Sequence, residues 1–213
     1  MKKRLFFCGG LFLLFFSRGF AQNQGDTGAD ALVEYKNRNY ESAVTICKSE
    51  LALNPGNLES HVVICWSLIS LGRYEEALNY ARQGRNLSRY EARIIEILGE
   101  ISYYQGRNKD SLEYFQEYVN LAPEGGRIDW VYYFIGEIYI RLGRFRHADI
   151  ALSTAVHYMP LNAVWWTRLG YARENARELA TAVQAYERAL ALNAQYADAR
   201  RGLERTRQAM ALR

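Results

Sequence analysis

Histidine and cysteine are the side chains most often used for metal binding and nucleophilic catalysis, and this 213-residue sequence contains three of each. His61, His147 and His157 form no H-x-x-x-H pair, and Cys47 and Cys65 form no C-x-x-C pair. The spacings typical of metal ligands are therefore missing. The sequence also has no G-x-S-x-G nucleophile motif and no glycine-rich phosphate loop. These observations predict a protein that is not an enzyme and uses no cofactor.

The excess of basic residues is confined to the N terminus. The formal net charge is +4, and Lys2, Lys3, Arg4 and Arg18 lie within the first 21 residues, which contain no acidic residue. Without these four, 23 basic residues are balanced by 23 acidic ones. A chain with balanced charge has no long-range field to attract DNA or an anionic membrane. We therefore expect no nucleic-acid partner.

Residues 1–21 have the layout of an export signal, with a basic start, an apolar stretch over 5–16 and a small-residue end at Ala21. We expect cleavage after Ala21. A retained membrane anchor is the alternative, but twelve apolar residues fall short of the roughly 20 that span a bilayer. Lipidation at Cys8 is disfavoured because only three apolar residues precede it. The sequence thus predicts a bacterial periplasmic or secreted protein without stable membrane insertion after signal cleavage.

The rest of the chain repeats with a period of about 34 residues. One position recurs at separations of 34, 34, 37 and 34 residues: Tyr40, Tyr74, Asn108, Phe145 and Leu179. Three residues after each stands a small side chain: Ala43, Ala77, Ser111, Ala148 and Ala182. Gly72, Gly106 and Gly143 precede three of these positions by two residues, where the chain must turn. Apolar residues in between follow a helical spacing of three and four, so each unit is predicted to be a helical hairpin.

These repeated segments resemble tetratricopeptide repeats. The fourth unit carries the family's marked residues at Tyr132, Ile135, Gly136, Tyr139, Ala148 and Pro160. The fifth unit carries them at Trp166, Leu169, Gly170, Ala182 and Tyr186. The resemblance implies an all-α fold, an α-solenoid of five stacked helix-turn-helix hairpins with a C-terminal capping helix.

The predicted organisation has four parts. A signal peptide over 1–21 is followed by a short flexible N-terminus over 22–28, five repeats over 29–193 and the capping helix over 194–213. Three extra residues near 124–126 separate the third and fourth repeats, and we interpret them as a longer loop.

Cys47 and Cys65 have two interpretations. The resemblance places them on helices that pack together, the second helix of the first repeat and the first helix of the second. Both are either small core residues or, in an oxidising compartment, partners in a disulfide. A disulfide across this 18-residue separation would contribute about 3 kcal/mol of stability.

The resemblance also assigns the first helix of each hairpin to a concave groove. The predicted partner-binding residues are aromatic and charged: Tyr35, Trp66, Glu96, Glu100, Tyr103, Tyr104, Trp130, Tyr133, Glu137, Arg141 and Tyr171. The three glutamates favour a ligand with basic groups, and Arg93 and Arg141 could bind a carboxylate. The alternative is that about half of the aromatic residues only pack against neighbouring first helices.

Three functions remain open at this point. The leading hypothesis is a scaffold or adaptor that mediates protein–protein interactions in the bacterial cell envelope, with a protein or peptide partner in the groove. The second is a small-ligand or peptide-binding component of a transport or cell-wall system. The third is self-association through the ends of the solenoid.

Overall fold

The computed structural model describes residues 30–212, which form eleven α-helices and no strand within that range. The helices are α1 (Ala31–Lys36), α2 (Tyr40–Leu53), α3 (Leu58–Ser70), α4 (Tyr74–Leu87), α5 (Ala92–Tyr104), α6 (Asn108–Leu121), α7 (Ile128–Arg141), α8 (Phe145–Tyr158), α9 (Ala163–Asn175), α10 (Leu179–Leu192) and α11 (Ala197–Ala211). The predicted all-α class is confirmed. The predicted signal peptide over 1–21 and the segment over 22–28 lie outside the described residues.

Ten of these helices form five antiparallel pairs, from α1–α2 to α9–α10. The five second helices begin at the five positions of the 34-residue period. Second helices end two residues before Pro55, Pro123 and Pro160, because proline disfavours helical backbone in the residue before it. They also end two residues before Arg89 and Ala194, which stand where the other repeats have proline.

The turn inside each hairpin uses one residue with left-handed backbone. Gly72, Gly106 and Gly143 have φ angles of 73°, 73° and 67°. In the first and last repeats Arg38 and Arg177 take this conformation, with φ angles of 63° and 68°. A side chain makes the left-handed region costly, and glycine avoids that cost. The glycine pattern therefore marked only three of the five turns.

Glycine in the middle of the first helix lets the second helix approach closely. A Cβ atom on Gly99 would lie 2.5 Å from the ring of Phe115, and one on Gly136 would lie 2.5 Å from Leu152. In the second repeat the corresponding positions hold Cys65 and Ala81, both fully buried. Glycine thus accompanies a large residue on the facing helix, whereas cysteine accompanies alanine, and the packed volume is preserved.

Stacking brings the first helices together more closely than the second helices. Backbone contacts join α1 to α3, α3 to α5, α5 to α7 and α7 to α9, whereas within residues 30–212 no such contacts join successive second helices. A stack of this kind curves toward its first helices. The buried side chains follow the stack as a series of apolar clusters shared by neighbouring repeats.

The last helix, α11, covers the end of the stack as predicted. It packs on α9 and α10 and buries Ala199, Gly202 and Thr206. Its outer side is rich in arginine: Arg200, Arg201, Arg205 and Arg207. No helix within residues 30–212 combines the length and apolar character needed to cross a membrane.

Candidate functional site

We call the surface formed by α1, α3, α5, α7 and α9 the first-helix face. Tyr104 and Trp130 are its most open predicted aromatic residues, with 44% and 37% of their area exposed. Five other predicted aromatic residues are partly buried: Tyr35, Trp66, Tyr103, Tyr133 and Tyr171. Each of the five helices therefore contributes an aromatic ring, but most rings also pack against another helix.

The three predicted acidic residues of this face are buried. Glu96 is fully enclosed, and Glu100 and Glu137 each keep 8% of their area exposed. Helical periodicity predicted them as exposed at the groove surface, and this predicted exposure was wrong. The predicted preference for basic groups of a partner stays a prediction. The structure places them beneath the surface because arginines from the following repeat, Arg127 and Arg168, cover and neutralise them. A partner therefore meets acids that already have an internal cation.

These acid–arginine pairs follow a regular spacing that was not recognised in the sequence. Each pair spans 31 residues along the chain: Glu96–Arg127, Glu137–Arg168 and Glu174–Arg205. Each joins one first helix to the next repeat or to α11. The same spacing also relates Glu76 to Arg107, which form no pair, so spacing alone does not identify Arg127 and Arg168.

We call the group formed by Tyr35, Trp66, Glu96, Glu100 and Arg127 the N-terminal cluster. Arg127 donates from Nε and Nη2 to Glu96 Oε1, at 3.2 and 3.1 Å. The same Nη2 lies 3.4 Å from Glu100 Oε2. The rings of Tyr35 and Trp66 stack with their centroids 5.7 Å apart. One guanidinium thus serves two buried carboxyl groups beside an aromatic wall.

A pocket of about 240 Å³ opens within this cluster. Its lining combines two aromatic rings, one acid and one arginine with a small polar and an aliphatic side chain: Tyr35, Trp66, Ile69, Ser70, Glu100 and Arg127. The pocket lies between first helices of four successive repeats, since its residues come from α1, α3 and α5 and from the residue before α7.

The three-residue insertion between the third and fourth repeats positions Arg127. The backbone N–H of Arg127 donates to the Tyr118 hydroxyl at 3.2 Å. Gly125 packs so tightly on this hydroxyl that a Cβ atom there would clash with it. The insertion is therefore a fixed turn as well as a longer loop, and it aims Arg127 at the two glutamates.

Burial and like charge raise the pKa values of the carboxyl groups of the N-terminal cluster. Burial raises the pKa of Glu100 to about 8, the Glu96 charge adds to the rise, and Arg127 opposes it. Burial also raises the pKa of Glu96, against the attraction of Arg127. Two carboxyl groups that face one guanidinium titrate as a pair. With its pKa at about 8, Glu100 is mainly protonated near neutral pH.

We call the group formed by Trp130, Tyr133, Glu137, Trp165 and Arg168 the C-terminal cluster. Arg168 donates from Nε and Nη2 to the two carboxylate oxygens of Glu137, at 2.6 and 2.8 Å. Trp165, which is 2% exposed, stacks on Tyr133 at 4.9 Å and meets Trp130 edge-on at 5.2 Å. This cluster has one acid for one arginine, in the bidentate geometry that guanidinium favours.

Arg93 and Arg141, predicted to bind a carboxylate, already have partners. Arg93 donates to Glu59 and to Glu91, at distances between 2.7 and 2.8 Å from its guanidinium nitrogens. Arg141 donates to the Tyr103 carbonyl oxygen at 2.9 Å and lies 3.7 Å above the Tyr103 ring. Both arginines therefore join neighbouring first helices.

The two described cysteines are buried free thiols, so the disulfide that the sequence left open is not formed in this structure. Cys65 donates from Sγ to the Ala77 carbonyl oxygen at 3.4 Å. Burial raises the pKa of Cys47 to about 12 and raises that of Cys65 as well. Within residues 30–212 no three His, Cys, Asp or Glu side chains group as metal ligands.

A larger cavity of about 620 Å³ lies on the other side of α9, between α8 and α10. Trp166, Leu169 and Arg173 line it from α9, and His157 and Arg188 line it from the two second helices. By helical periodicity these α9 residues point away from Arg168. This cavity is therefore separate from the first-helix face.

The family model of the tetratricopeptide repeat matches the sequence over residues 64–126 and 135–199, which together are more than half of the chain. The chain belongs to the tetratricopeptide repeat family. The repeat explains the helix pairs and their stacking. In general, proteins built from it are non-enzymatic scaffolds that bind protein or peptide partners.

Among curated proteins, the BBSome complex member BBS4 homolog of Drosophila melanogaster is 27% identical over 140 residues, which cover 62% of this chain. The match spans only 29% of that relative's length. It adds sequence support for the repeat and leaves most of the relative unmatched.

Solved structures of similar fold include three proteins at low identity. MamA matches 78% of this chain and 91% of its own, with 19% identity and a TM-score of 0.64. YrrB is described as a TPR protein with an unusual peptide-binding site. The match covers 78% of this chain and 84% of YrrB, with 17% identity and a TM-score of 0.69. PilF of Pseudomonas aeruginosa matches 85% and 81%, with 15% identity and a TM-score of 0.74. At these identities the likeness concerns the fold.

Proposed function

We propose that this protein is an exported scaffold that holds an extended segment or a helix of another protein along the first-helix face. The observation that carries the proposal is the aromatic ring contributed by each of the five first helices, with Tyr104 and Trp130 more than a third exposed. Tyrosine and tryptophan provide large contact area at a low cost in side-chain entropy. Open aromatic groups that follow one another along a surface are typical of an interface.

The charges of the face favour a rigid surface for such a segment. Acid–arginine pairs join α3 to α5, α5 to the start of α7, α7 to α9 and α9 to α11, so most of the rings lie on a rigid support. Binding to a braced surface loses less conformational entropy than binding to a mobile one. The peptide-binding site in the description of YrrB supports this use of the fold.

The cell envelope is the proposed location, and it rests on residues 1–21. Their basic start, apolar stretch and Ala21 end have the layout of a cleaved export signal. Fractionation of the native cell together with N-terminal sequencing tests this part. A mature chain that begins at Gln22 in the periplasm or medium supports it, and an uncleaved chain in the cytoplasm contradicts it.

Site-specific photocrosslinking tests the interface. The crosslinking residue p-benzoylphenylalanine replaces Tyr104 or Trp130 on the first-helix face, and in a matched control it replaces Ile150, which is 71% exposed on the second helix α8. We expect one protein to be crosslinked from positions 104 and 130 and not from 150. Equal crosslinking from all three positions, or none from 104 and 130, contradicts the proposal. Crosslinks between copies of the chain would favour self-association.

A second candidate function is a small-ligand-binding component of a transport or cell-wall system. The cavity of about 620 Å³ beside α9 favours it, because ligand pockets typically measure about 300–1,000 Å³. Native mass spectrometry of the gently purified protein tests it. A bound small molecule that is lost when Trp166→Ala opens the cavity would support this candidate, and an empty protein would remove it.

A further inference from the structure

The N-terminal cluster has more acid than base. Glu96 and Glu100 lie one helical turn apart on α5 and share the single guanidinium of Arg127. In the C-terminal cluster, Glu137 has Arg168 to itself. Glu100 and Glu137 are equally buried, so the two clusters differ in the number of arginines per acid. The N-terminal cluster has room for one more positive charge.

One carboxylate oxygen of this cluster has no hydrogen-bond partner. Within residues 30–212, Glu96 Oε2 is one of four buried side-chain atoms left without one. Both hydrogen bonds that Arg127 donates to Glu96 go to Oε1. A buried polar atom without a partner carries a desolvation cost that a nearby positive charge reduces.

The pocket next to Glu100 has the walls that a cation prefers. Tyr35 and Trp66 line the same space of about 240 Å³ that Glu100 lines. Ring faces attract ammonium groups, and a neighbouring carboxylate adds charge and hydrogen bonds. Because the pocket is small and Arg127 already fills one side, a compact ammonium fits it better than a second planar guanidinium.

We propose that this pocket binds the side-chain ammonium of a lysine in the partner segment, held by Glu100 against Tyr35 and Trp66. The inference rests on the proposed function, because it assigns one anchor of the segment that the first-helix face would hold. It gives the partner a chemical character: an extended segment with a lysine that enters between the first and third repeats.

Binding of the ammonium is coupled to loss of a proton from Glu100. The titratable groups that act on Glu100 are Tyr35 on α1, Glu96 and Tyr104 on α5, and Arg127 before α7, and Asp129 at the start of α7 acts on Glu96. Burial raises the pKa of both tyrosines further above neutrality, so their hydroxyls keep their protons. Below about pH 8 the bound ammonium therefore displaces one proton into solvent, and above it none.

The test uses n-butylammonium as the probe and 1-butanol as its neutral counterpart. The indole N–H signal of Trp66, assigned through Trp66→Phe, reports occupancy by NMR, and calorimetry in two buffers of different ionisation enthalpy counts protons. We expect affinity for n-butylammonium to rise about tenfold from pH 6 to pH 7 and to level off above pH 8. Release should be about one proton per probe at pH 6.5. Equal binding of 1-butanol, or no response of Trp66 at pH 9, overturns the inference.

Two variants separate the pocket from general effects on the fold. Glu100→Gln should weaken the probe about tenfold at pH 9 and abolish proton release. The matched control Glu137→Gln, at the same position of the next repeat, should keep both. If Glu137→Gln weakens the probe as much as Glu100→Gln does, the inference fails. Should Glu100→Gln not fold, the pH dependence of the wild type remains decisive.

The outcomes also separate this inference from the scaffold proposal. Crosslinks from Tyr104 and Trp130 together with a pocket that ignores n-butylammonium would leave the scaffold intact and remove the lysine anchor. A pocket that binds n-butylammonium with proton release, in a protein that forms no crosslinks, would leave a cation site and remove the scaffold.

Discussion

The two clusters of the first-helix face contain similar residue types but differ in the number of acids per arginine. Both place a buried glutamate directly after a helix-packing glycine, in the dipeptides Gly99-Glu100 and Gly136-Glu137. In the C-terminal cluster the acid is fully matched by Arg168, and Trp165 is buried. In the N-terminal cluster one arginine serves two acids and the aromatic wall faces a pocket. The first arrangement is suited to bracing the stack, and the second leaves capacity for a ligand.

The difference arises from where each arginine lies and from the acids available at equivalent positions of the two repeats. Arg168 lies in the middle of α9, directly opposite Glu137 of the neighbouring helix. Arg127 comes before α7, on the turn that the inserted residues create. From the end of a helix its long side chain reaches two successive turns of α5. The fourth repeat also has Tyr133 at the position of Glu96, so Arg168 meets one acid, whereas Arg127 reaches both Glu96 and Glu100.

Alanine substitution of the two tryptophans should give the largest contrast in stability. Trp165→Ala removes a fully packed ring and should lower the free energy of unfolding by about 4 kcal/mol. Trp66→Ala removes a partly exposed ring and should lower it by about 1–2 kcal/mol. Urea unfolding followed by far-ultraviolet circular dichroism measures both. Similar losses would show that the two aromatic groups are equally structural and would break the comparison.

The pH dependence of stability should come from the N-terminal cluster. The pKa of Glu100 is raised in the folded chain, so the folded state holds its proton more tightly than the unfolded state. The contribution of Glu100 to stability is then complete below about pH 4.5 and is lost as pH rises through about pH 8. We expect a loss of about 3 kcal/mol across this range, because each tenfold difference in proton affinity corresponds to about 1.4 kcal/mol and contact with solvent relieves part of the effect.

Glu100→Gln provides the control for this loss of stability with rising pH. Its stability should lose most of this dependence on pH between pH 5 and pH 8.5 in the same urea titrations, and Glu96, whose pKa is also raised, accounts for the remainder. A variant that keeps the slope of the wild type would locate the titrating group elsewhere.

Removal of the matched arginine should reveal what full pairing contributes. Arg168→Met leaves the buried carboxyl group of Glu137 without its cation and should cost about 2 kcal/mol at pH 8. The double variant Arg168→Met, Glu137→Leu should recover most of this loss, because an apolar pair of similar volume replaces a buried ion pair without much penalty. Thermal unfolding of the two variants beside the wild type gives the coupling directly. If Arg168→Met were as stable as the wild type, the ion pair would contribute nothing to stability.

The smallest effect expected is a difference in sign between two conservative variants. At pH 9, Glu137→Gln should lose about 1 kcal/mol because it gives up one charge-assisted contact of a matched pair. Glu100→Gln should be neutral or slightly stabilising, because it removes a carboxylate that burial disfavours. Parallel urea titrations resolve the sign. Equal losses would indicate that both acids are paired to the same degree.

Much of the fold could be predicted from the sequence because its markers act locally. The 34-residue period located the start of each second helix, and proline located several of their ends. The turns at Arg38 and Arg177 could not be predicted, since arginine has no preference for left-handed backbone and takes it only where packing of the flanking helices demands it.

The candidate site was predicted only in part. Helical periodicity placed the aromatic residues on the first helices, but it placed Glu96 at the surface, and the structure encloses it fully. The buried Trp165 and the covering arginines Arg127 and Arg168 were missed. Their contacts join different repeats, so a single repeat carries no local signal for them.

The order of residues along the chain is enough to establish an all-α stack of paired helices, because spacing, small residues and turn formers act within one repeat. Which charges meet depends instead on tertiary packing. Residues 27 to 31 apart come together when one repeat packs on the next, and a single turn before α7 sends Arg127 to two acids instead of one. The unequal number of acids in the two clusters is set by the sequence, with Glu96 in the third repeat and Tyr133 in the fourth, whereas the stacking decides which arginine reaches them.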